Sequence, residues 1–374
     1  MTGRGPGRPP RLPAHLEGLD RYEPGLSLEQ AARESGMREV VKLASNENAL
    51  GPSPRAVEAV RAALVRIHRY PDGPATALRA ALARGLGVDA SQVVIGNGST
   101  DLIDLLARAF LGPEDNAVIS EGAFARFGQV VRARNGRARL VPMRDRTHDL
   151  AAMRAAVDGR TRLVYVANPN NPTGTWNRKA ELLALLADLP AEVLVVLDEA
   201  YFEYADDPEY PDGVAIVREG RRVAVLRTFS KVHGLAGLRV GYGIAAPEVV
   251  EAVDLVREPF NSNVLGQVAA LAALEDRAHV RRTVELNRTE RARMAAALRE
   301  RGLQVLPSLA NFLFVDLGRD AGPVYRELVS HGLIVRPLRA YGFETALRIS
   351  IGSPEENARL LSALDAVLAP APRR

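Results

Sequence analysis

Cysteine is absent from this chain of 374 residues. Its absence excludes disulfides, thiolate metal ligands and a thiol nucleophile. Long apolar runs are missing too: none approaches the roughly 20 residues that span a bilayer, and no apolar segment follows the arginines near the amino terminus, as a secretory signal requires. The sequence also lacks a helix-turn-helix or zinc-finger pattern. We therefore predict a cytoplasmic protein that binds neither membranes nor nucleic acid.

The formal net charge of +4 comes from the two ends of the chain. Three arginines precede the first acidic residue, Glu17, and two more end the sequence, so the body between them is slightly acidic. Residues 1–13 are rich in Gly, Pro and Arg, a composition that predicts a disordered basic arm. The arm could bind a polyanion, but no other feature of the sequence favours that alternative.

The body of the chain has an ordinary globular composition, with 47% hydrophobic and 25% charged residues. Between about residues 55 and 245, short β-branched runs alternate with helical patterns, which predicts an α/β fold with a mostly parallel seven-stranded sheet between helices. The candidate strands are 92–95, 117–120, 139–142, 162–167, 193–197, 223–226 and 239–244.

Beyond about residue 246 the pattern changes to that of a smaller α+β domain. Its candidate helices are 264–275, 279–301, 323–331 and 354–368, and its candidate strands are 312–316, 333–336 and 346–351. We predict that residues 14–50 pack with this domain, that residues 51–258 form the large domain, and that residues 259–374 form the small one. The length fits about two domains.

Lys231 is the most informative single residue. It follows the apolar strand 223–226, and α/β sheets bind ligands at the carboxyl ends of their strands. A lysine among apolar residues and a second cation loses proton affinity and becomes a candidate Schiff-base nucleophile. Ser230 and Arg239 supply a hydroxyl and a guanidinium suited to a phosphate. Pyridoxal phosphate combines both requirements, whereas a solvated surface lysine is the simpler alternative.

A glycine-rich turn, Gly96 to Asp101, follows a strand and opens a helix. Free amides at a helix start favour an anion, which makes Ser99 and Thr100 candidate phosphate ligands. A simple helix cap is the alternative. Nucleotide-binding motifs fit less well, because the third glycine of G-x-G-x-x-G is Asp101 and no P-loop lysine follows.

Two further strand ends carry polar residues. Asn171 lies in the loop after strand 162–167, where it could present its amide to a ring oxygen of a cofactor; an ordinary turn is the alternative. Asp198 ends the very apolar strand 193–197, and a buried acid is costly unless paired. A protonated pyridine nitrogen is one such partner. A magnesium ion on Asp198 and Glu199 is the alternative.

Taken together, the motifs resemble those of the fold-type I pyridoxal-phosphate-dependent aminotransferases, most closely the histidinol-phosphate aminotransferases. The resemblance runs from about Leu43 to the last helix. Its markers are Asn46-Glu47-Asn48, Tyr70-Pro71-Asp72, Asn171-Pro172-Thr173-Gly174, Asp198-Glu199-Ala200-Tyr201, Ser230-Lys231 with Gly237 and Arg239, Pro259-Phe260-Asn261, and Leu347-Arg348-Ile349-Ser350.

The resemblance implies a role for each matching residue. Lys231 would bind pyridoxal phosphate covalently and move protons, and Asp198 would pair with the pyridine nitrogen. Asn171 and Tyr201 would hydrogen-bond the ring oxygen. Arg348 would bind the anionic group of the substrate, assisted by Arg336 and Asn48. The cofactor phosphate would be held by Ser99, Thr100, Ser230 and Arg239 and, from the second subunit of a homodimer, by Tyr70.

One position departs from the pattern of the family. Phe124 stands where many relatives have a tyrosine stacked on the cofactor ring. Stacking survives this change and a phenol hydrogen bond does not, so the departure affects substrate preference and leaves the reaction class unchanged.

The resemblance implies transamination between L-histidinol phosphate and 2-oxoglutarate, in histidine biosynthesis. An aromatic amino acid transaminase, which has the same catalytic residues, is one alternative. A phosphothreonine decarboxylase, a close relative with another reaction class, is the second. A transcription regulator built on this fold would need a DNA-binding module in front, which residues 1–13 cannot supply.

Overall fold

The protein is described from a computed structural model, which defines residues 11–19, 25–37 and 39–369. The predicted basic arm lies outside these residues except for its last three positions. Within them, no helix has both the length and the apolar character needed to cross a membrane.

The strands are short, as the alternating pattern predicts. In chain order, those of the described residues are Val41–Lys42 (β1), Val93–Gly96 (β2), Asn116–Ser120 (β3), Arg137–Val141 (β4), Thr161–Ala167 (β5), Leu194–Asp198 (β6), Val223–Thr228 (β7), Gly241–Ile244 (β8), Gln304–Val305 (β9), Phe312–Asp316 (β10), Leu333–Ile334 (β11), Arg336–Pro337 (β12) and Ala346–Ser350 (β13).

Helices alternate with the strands. They are Leu28–Ser35 (α1), Pro54–Ala63 (α2), Thr76–Leu86 (α3), Ser99–Phe110 (α4), Arg126–Ala133 (α5), Leu150–Ala155 (α6), Lys179–Ala187 (α7), Gly213–Arg218 (α8), Pro247–Val256 (α9), Val264–Glu275 (α10), Arg277–Glu300 (α11), Ala321–Ser330 (α12) and Pro354–Leu368 (α13). Short 3₁₀ turns lie at Ala14–Leu16, Leu64–Arg66, Ala90–Gln92, Phe202–Tyr204, Ala236–Leu238 and Arg339–Tyr341.

Among the described residues, seven strands form the central sheet in the order β2-β8-β7-β6-β5-β3-β4. Strand β8 runs antiparallel to both of its neighbours, and the other adjacent pairs are parallel. This confirms the predicted α/β class and the mostly parallel sheet. The arrangement brings the carboxyl ends of β2, β5, β6 and β7 to one edge, where the loop into β8 also begins.

The core of the large sheet lies on both of its faces. Along β6, Val195 and Leu197 belong to one apolar cluster, and Leu194 and Val196 belong to the cluster on the opposite face. This follows from the two-residue period of a strand. Because both faces of the sheet are covered, nearly all residues of this strand are apolar, and its sequence is a continuous apolar run.

A second, antiparallel sheet has the order β12-β13-β10-β9, and β1 pairs in parallel with β11. The β1–β11 pair joins the amino-terminal segment to the carboxyl-terminal part of the chain. The exact domain boundaries stay a prediction.

Two predicted strands differ from the structure. The run 333–336 is divided at Val335 into β11 and β12, which pair in different sheets. The predicted strand 239–244 begins earlier than the observed strand β8, which starts at Gly241. Arg239 has a positive φ of 54° and is therefore not in extended conformation. An apolar pattern indicates extended backbone but not the partner with which each residue pairs.

Candidate active site

A cleft of about 250 Å³ opens at the carboxyl edge of the large sheet. Residues after β2, β5, β6 and β7 line it, together with residues of the 44–47 segment, β12 and β13. All the site residues predicted from the sequence line this cleft except Asn48 and Tyr70. Those in the cleft are Ser99, Thr100, Phe124, Asn171, Asp198, Tyr201, Ser230, Lys231, Arg239, Arg336 and Arg348.

Lys231 presents its amine in this cleft, three residues beyond the end of β7. Its Nζ donates a hydrogen bond to the carbonyl oxygen of Ser45 at 3.0 Å. The pKa of the Lys231 amine is lowered to about 7, mainly by burial and in smaller part by the nearby Arg348 and Arg239 guanidiniums. The amine is therefore substantially uncharged near neutral pH, as a nucleophile or proton acceptor must be.

Asp198 ends β6 and is buried. Its carboxylate accepts the amide N–H of Ala200 at 3.1 Å, and within the described residues no side-chain cation lies at ion-pair distance. Burial raises the pKa of the Asp198 carboxyl to about 7, against the opposing effect of Lys231. A carboxylate in this position is stabilised by a cation that enters the cleft.

An anion cradle lies beside Lys231, at the start of α4. Arg239 Nη1 donates to Ser230 Oγ at 3.3 Å. Gly98 has a φ of +84°, and a Cβ there would lie 2.5 Å from Arg239 Nη2; a Cβ on Gly241 would lie 2.3 Å from the amide nitrogen of Ser99. The glycines thus bring the arginine and the first amides of α4 close together, which suits a phosphate group.

Arg348, on β13, reaches the cleft from the small sheet. Its guanidinium donates to Asn171 Oδ1 and to the carbonyl oxygen of Ala44, the latter at 2.6 Å. Its Nε is buried and has no hydrogen-bond partner among the residues that the structure describes. An arginine that is buried with one N–H unsatisfied is suited to an incoming anion. Arg336 lies opposite it across the β12–β13 pair and also lines the cleft.

Asn48, predicted to assist in binding the substrate, does not line this cleft. Its amide donates to the carbonyl oxygen of Val232 at 2.9 Å and to Thr283 Oγ1 at 3.2 Å, and it lines a smaller, separate pocket against α11. Asn46 occupies the cleft instead, where its Nδ2 donates to the Tyr201 hydroxyl at 2.8 Å. The motif was visible in the sequence, but the direction of each side chain in an irregular loop depends on packing.

Tyr70 lies outside the cleft of its own chain. Its side chain is 82% exposed and stacks on Phe260, with the ring centroids 4.7 Å apart. The proposed contact with a second subunit requires an exposed position of this kind.

Glu199 points away from Asp198 and belongs to a structural cluster. It accepts two hydrogen bonds from the Arg227 guanidinium, at 2.8 and 2.9 Å, and one from the amide of Gly213 at 2.9 Å. The two adjacent carboxylates therefore do not converge on one point, as the magnesium alternative requires. In the part of the chain that the structure defines, no three His, Asp or Glu side chains are grouped as metal ligands.

Comparisons with known proteins agree with this geometry. The model of the aminotransferase class I and II family matches residues 38–364. The chain is 51% identical over 356 residues to histidinol-phosphate aminotransferase 2 of Pseudomonas aeruginosa, which covers 95% of this chain and 96% of that protein. It is 46% identical to histidinol-phosphate aminotransferase of Moorella thermoacetica, with 96% and 94% covered.

Among solved structures, histidinol-phosphate aminotransferase from Sinorhizobium meliloti in complex with pyridoxal-5′-phosphate superimposes with a TM-score of 0.87 and 32% identity. The match covers 96% of this chain and 97% of that one. Aspartate aminotransferase from Thermotoga maritima has a TM-score of 0.82 at 21% identity, with 96% and 100% covered, and shows the shared fold.

Proposed function

Because this chain belongs to the class I and II aminotransferase family, we propose that it is a pyridoxal-phosphate-dependent transaminase of histidine biosynthesis. It exchanges an amino group between L-histidinol phosphate and 2-oxoglutarate, giving imidazole-acetol phosphate and glutamate. The observation that carries the choice of substrate is the identity of 51% over 95% of the chain to a relative with that name.

The residues of the cleft fit pyridoxal phosphate. An amine with a lowered pKa, a buried carboxylate that is paired with no cation of the described residues, and an arginine beside the first residues of α4 lie in one cavity. These groups complement an aldehyde, a pyridine nitrogen and a phosphate, respectively. In this proposal Ser99, Thr100, Ser230 and Arg239 hold the phosphate, while Asn171 and Tyr201 face the ring oxygen.

When bound, pyridoxal phosphate supplies an electron sink that acidifies the α-carbon of an amine. Lys231 is the group that takes up and returns the proton, since a large fraction of its amine is uncharged near pH 7. Asp198 keeps a positive charge at the pyridine nitrogen, because the buried carboxylate is stabilised by that charge. Phe124 lines the same cleft and presents an apolar ring to it.

Arg348 binds the anionic end of the substrate. Its guanidinium is oriented by Asn171 and Ala44, and its remaining N–H groups are available to an anion. Arg336 adds a second positive charge at the same end of the cleft. Two cations suit the phosphate of histidinol phosphate and the carboxylates of 2-oxoglutarate in alternate half-reactions.

The active unit in this proposal is a cytoplasmic homodimer. Tyr70 of each subunit reaches the cofactor phosphate of the other. Exposed apolar side chains precede this tyrosine in the chain or stack on it, and they favour an interface there; they are Leu64, Val65, Ile67 and Phe260.

Purified protein supplied with L-histidinol phosphate and 2-oxoglutarate tests the proposal. We expect glutamate to form, and we expect Lys231→Ala to lower kcat about a thousandfold and to remove the visible absorption of the bound cofactor. Lys179→Ala is the matched control, because Lys179 is exposed on α7; its activity should equal that of the wild type.

The same assay separates the alternative substrates. A higher kcat/KM for phenylalanine than for histidinol phosphate would identify an aromatic amino acid transaminase. Carbon dioxide release from phosphothreonine without any keto acid would identify a decarboxylase. A wild type that binds no pyridoxal phosphate contradicts the proposal altogether.

A further inference from the structure

Three consecutive residues, Ala44 to Asn46, contact three different side chains of the cleft. The carbonyl oxygen of Ala44 accepts from Arg348, and that of Ser45 accepts from Lys231. The third contact is made by a side chain: Asn46 Nδ2 donates to the Tyr201 hydroxyl at 2.8 Å. Asn46 is the member of this segment whose contact a substitution can remove without changing the backbone.

Burial and backbone hydrogen bonds fix the position of Asn46. The residue is 1% exposed, its backbone N–H donates to Ser350 Oγ at 2.8 Å, and its carbonyl oxygen accepts from Asn311 Nδ2 at 3.0 Å. Its φ is +56°, in the left-handed region that costs a non-glycine residue about 1 kcal/mol. Glycine would meet this backbone requirement more easily, so the amide side chain is the feature that asparagine adds.

The hydrogen bonds also determine which end of the Asn46 amide faces Tyr201. Ser350 Oγ accepts from the Asn46 backbone N–H and donates its own proton to Asn46 Oδ1 at 2.9 Å. With Oδ1 occupied in this way, Nδ2 is directed at the phenol oxygen. The opposite orientation would leave the Ser350 proton without an acceptor in a buried place.

The Tyr201 hydroxyl is consequently an acceptor towards Asn46. Its own proton must point elsewhere, and among the described residues no acceptor for it is found. Tyr201 lines the cleft, so the direction that remains for the proton is into the cavity.

We propose that Asn46 is a positioning residue: by donating to the phenol oxygen it directs the Tyr201 proton at the ring oxygen of the bound cofactor. Ser350 supports this role by orienting the amide. The inference rests on the proposed cofactor and is independent of the proposed substrate.

The consequence is measurable without turnover. A hydrogen bond donated to the ring oxygen favours its ionised form and lowers the pKa of the bound chromophore. Without Asn46 the Tyr201 hydroxyl rotates more freely and donates to the cofactor for part of the time. The pKa of the chromophore then rises.

The test is a pH titration of the absorption of the holoenzyme, for Asn46→Gly in the wild-type and in the Tyr201→Phe background. Glycine keeps the left-handed backbone. In the presence of Tyr201 we expect the chromophore pKa to rise by about half a pH unit, which corresponds to a weakened hydrogen bond. In the Tyr201→Phe background the same substitution should cause no further shift.

Asn46→Asp is a second variant, since aspartate also tolerates this backbone and replaces the donor by an acceptor. The rise in the chromophore pKa should be larger for Asn46→Asp than for Asn46→Gly. In the Tyr201→Phe background, the part of this rise that is due to the hydroxyl should disappear. Asn48→Ala is the matched control: it removes a half-buried asparagine amide of the same motif, which bonds to Val232 and Thr283 instead of Tyr201. Its chromophore pKa should equal that of the wild type.

A bound chromophore whose pKa is the same in Asn46→Gly and the wild type overturns the inference. Equal shifts with and without Tyr201 overturn it as well, because they indicate a general structural effect. A wild type without any bound chromophore is a different result, which contradicts the proposed function itself.

Discussion

At the scale of single residues, Lys231 and Asp198 respond to burial in opposite ways. Burial makes the charged form of each less stable, so that the pKa of the amine falls to about 7 and the pKa of the carboxyl rises to about 7. Both groups are thus partly neutral near physiological pH when no ligand is bound. A ligand with an electrophilic carbon and a protonated nitrogen complements both groups, because the carbon can react with the uncharged amine and the nitrogen can pair with the carboxylate.

The pKa of Lys231 predicts how the apoprotein takes up its cofactor. The uncharged amine attacks the aldehyde, so the rate of uptake should rise with pH up to about 7 and then level off. Stopped-flow mixing of apoprotein with pyridoxal phosphate at a series of pH values measures this. A rate that still rises towards pH 10.5, the pKa of an ordinary lysine, contradicts the prediction.

Asp198→Asn should have opposite effects on the stability of the apo and holo forms. Since the pKa of this carboxyl is raised, the folded protein binds the proton more tightly, and stability is lost as the pH rises from about 4 to about 7. The neutral asparagine removes that loss. We expect the apoprotein variant to melt a few degrees above wild type at pH 8, with no difference at pH 4.

In the holoprotein the same substitution removes the partner of a buried cation, which typically costs about 3–5 kcal/mol. The melting temperature should then fall below that of the wild type. Scanning calorimetry with and without cofactor compares the two forms, and a variant that is less stable in both would show that Asp198 has another structural partner.

At the scale of elements, the site is built from one edge of the sheet. Strands β5, β6 and β7 end beside one another and place Asn171, Asp198 and Lys231 in the same cleft. The edge could be predicted, because parallel strands with crossover helices bring their carboxyl ends together. The division of the run 333–336 into β11 and β12 could not, because the choice of partner strand depends on distant residues.

The start of α4 provides a prediction at this scale. Gly98→Ala would place a Cβ 2.5 Å from Arg239 Nη2 on a backbone with a φ of +84°, and should displace the guanidinium. Loss of one charged hydrogen bond to the phosphate raises the Kd of pyridoxal phosphate about tenfold.

Equilibrium dialysis with the apoprotein measures this affinity. Gly85→Ala, in α3, is the matched control, since its Cβ would meet no atom of the described residues within 4 Å. Its Kd should be that of the wild type, and a Gly98→Ala protein with unchanged Kd would place the phosphate elsewhere.

At the scale of the whole molecule, distant parts of the chain meet at the cleft. Strand β1 pairs with β11, and the residues after β1 contact Arg348 on β13. The substrate end of the cleft therefore depends on both the beginning and the end of the described chain, whereas the cofactor end depends on the central sheet.

The exposed Tyr70 leads to a prediction about assembly. We expect a homodimer in solution, measured by light scattering. Tyr70→Phe keeps the stacking on Phe260 and removes only the hydroxyl, so the dimer should persist while the affinity for pyridoxal phosphate falls several-fold.

Leu255→Ala is the control for this experiment, because Leu255 is exposed on α9 and has no proposed role at the site. A monomeric wild type with full affinity for the cofactor would contradict the proposed contribution of Tyr70 from the second subunit.

The sequence by itself determined the features that depend on local rules. A strand pattern followed by a polar residue predicts a strand end, and this identified Lys231, Asp198 and Asn171 as candidates. The joint order of the motifs identified the family. These features can be recognised in the sequence because residues that are neighbours along the chain specify them.

Only the tertiary structure decided which polar side chains face the cleft and which way their hydrogen bonds run. Asn46 and Asn48 belong to the same short motif, yet one reaches Tyr201, 155 positions away, and the other packs against α11. The direction of a loop side chain is set by the groups that surround it in space, and those groups are far apart in the sequence.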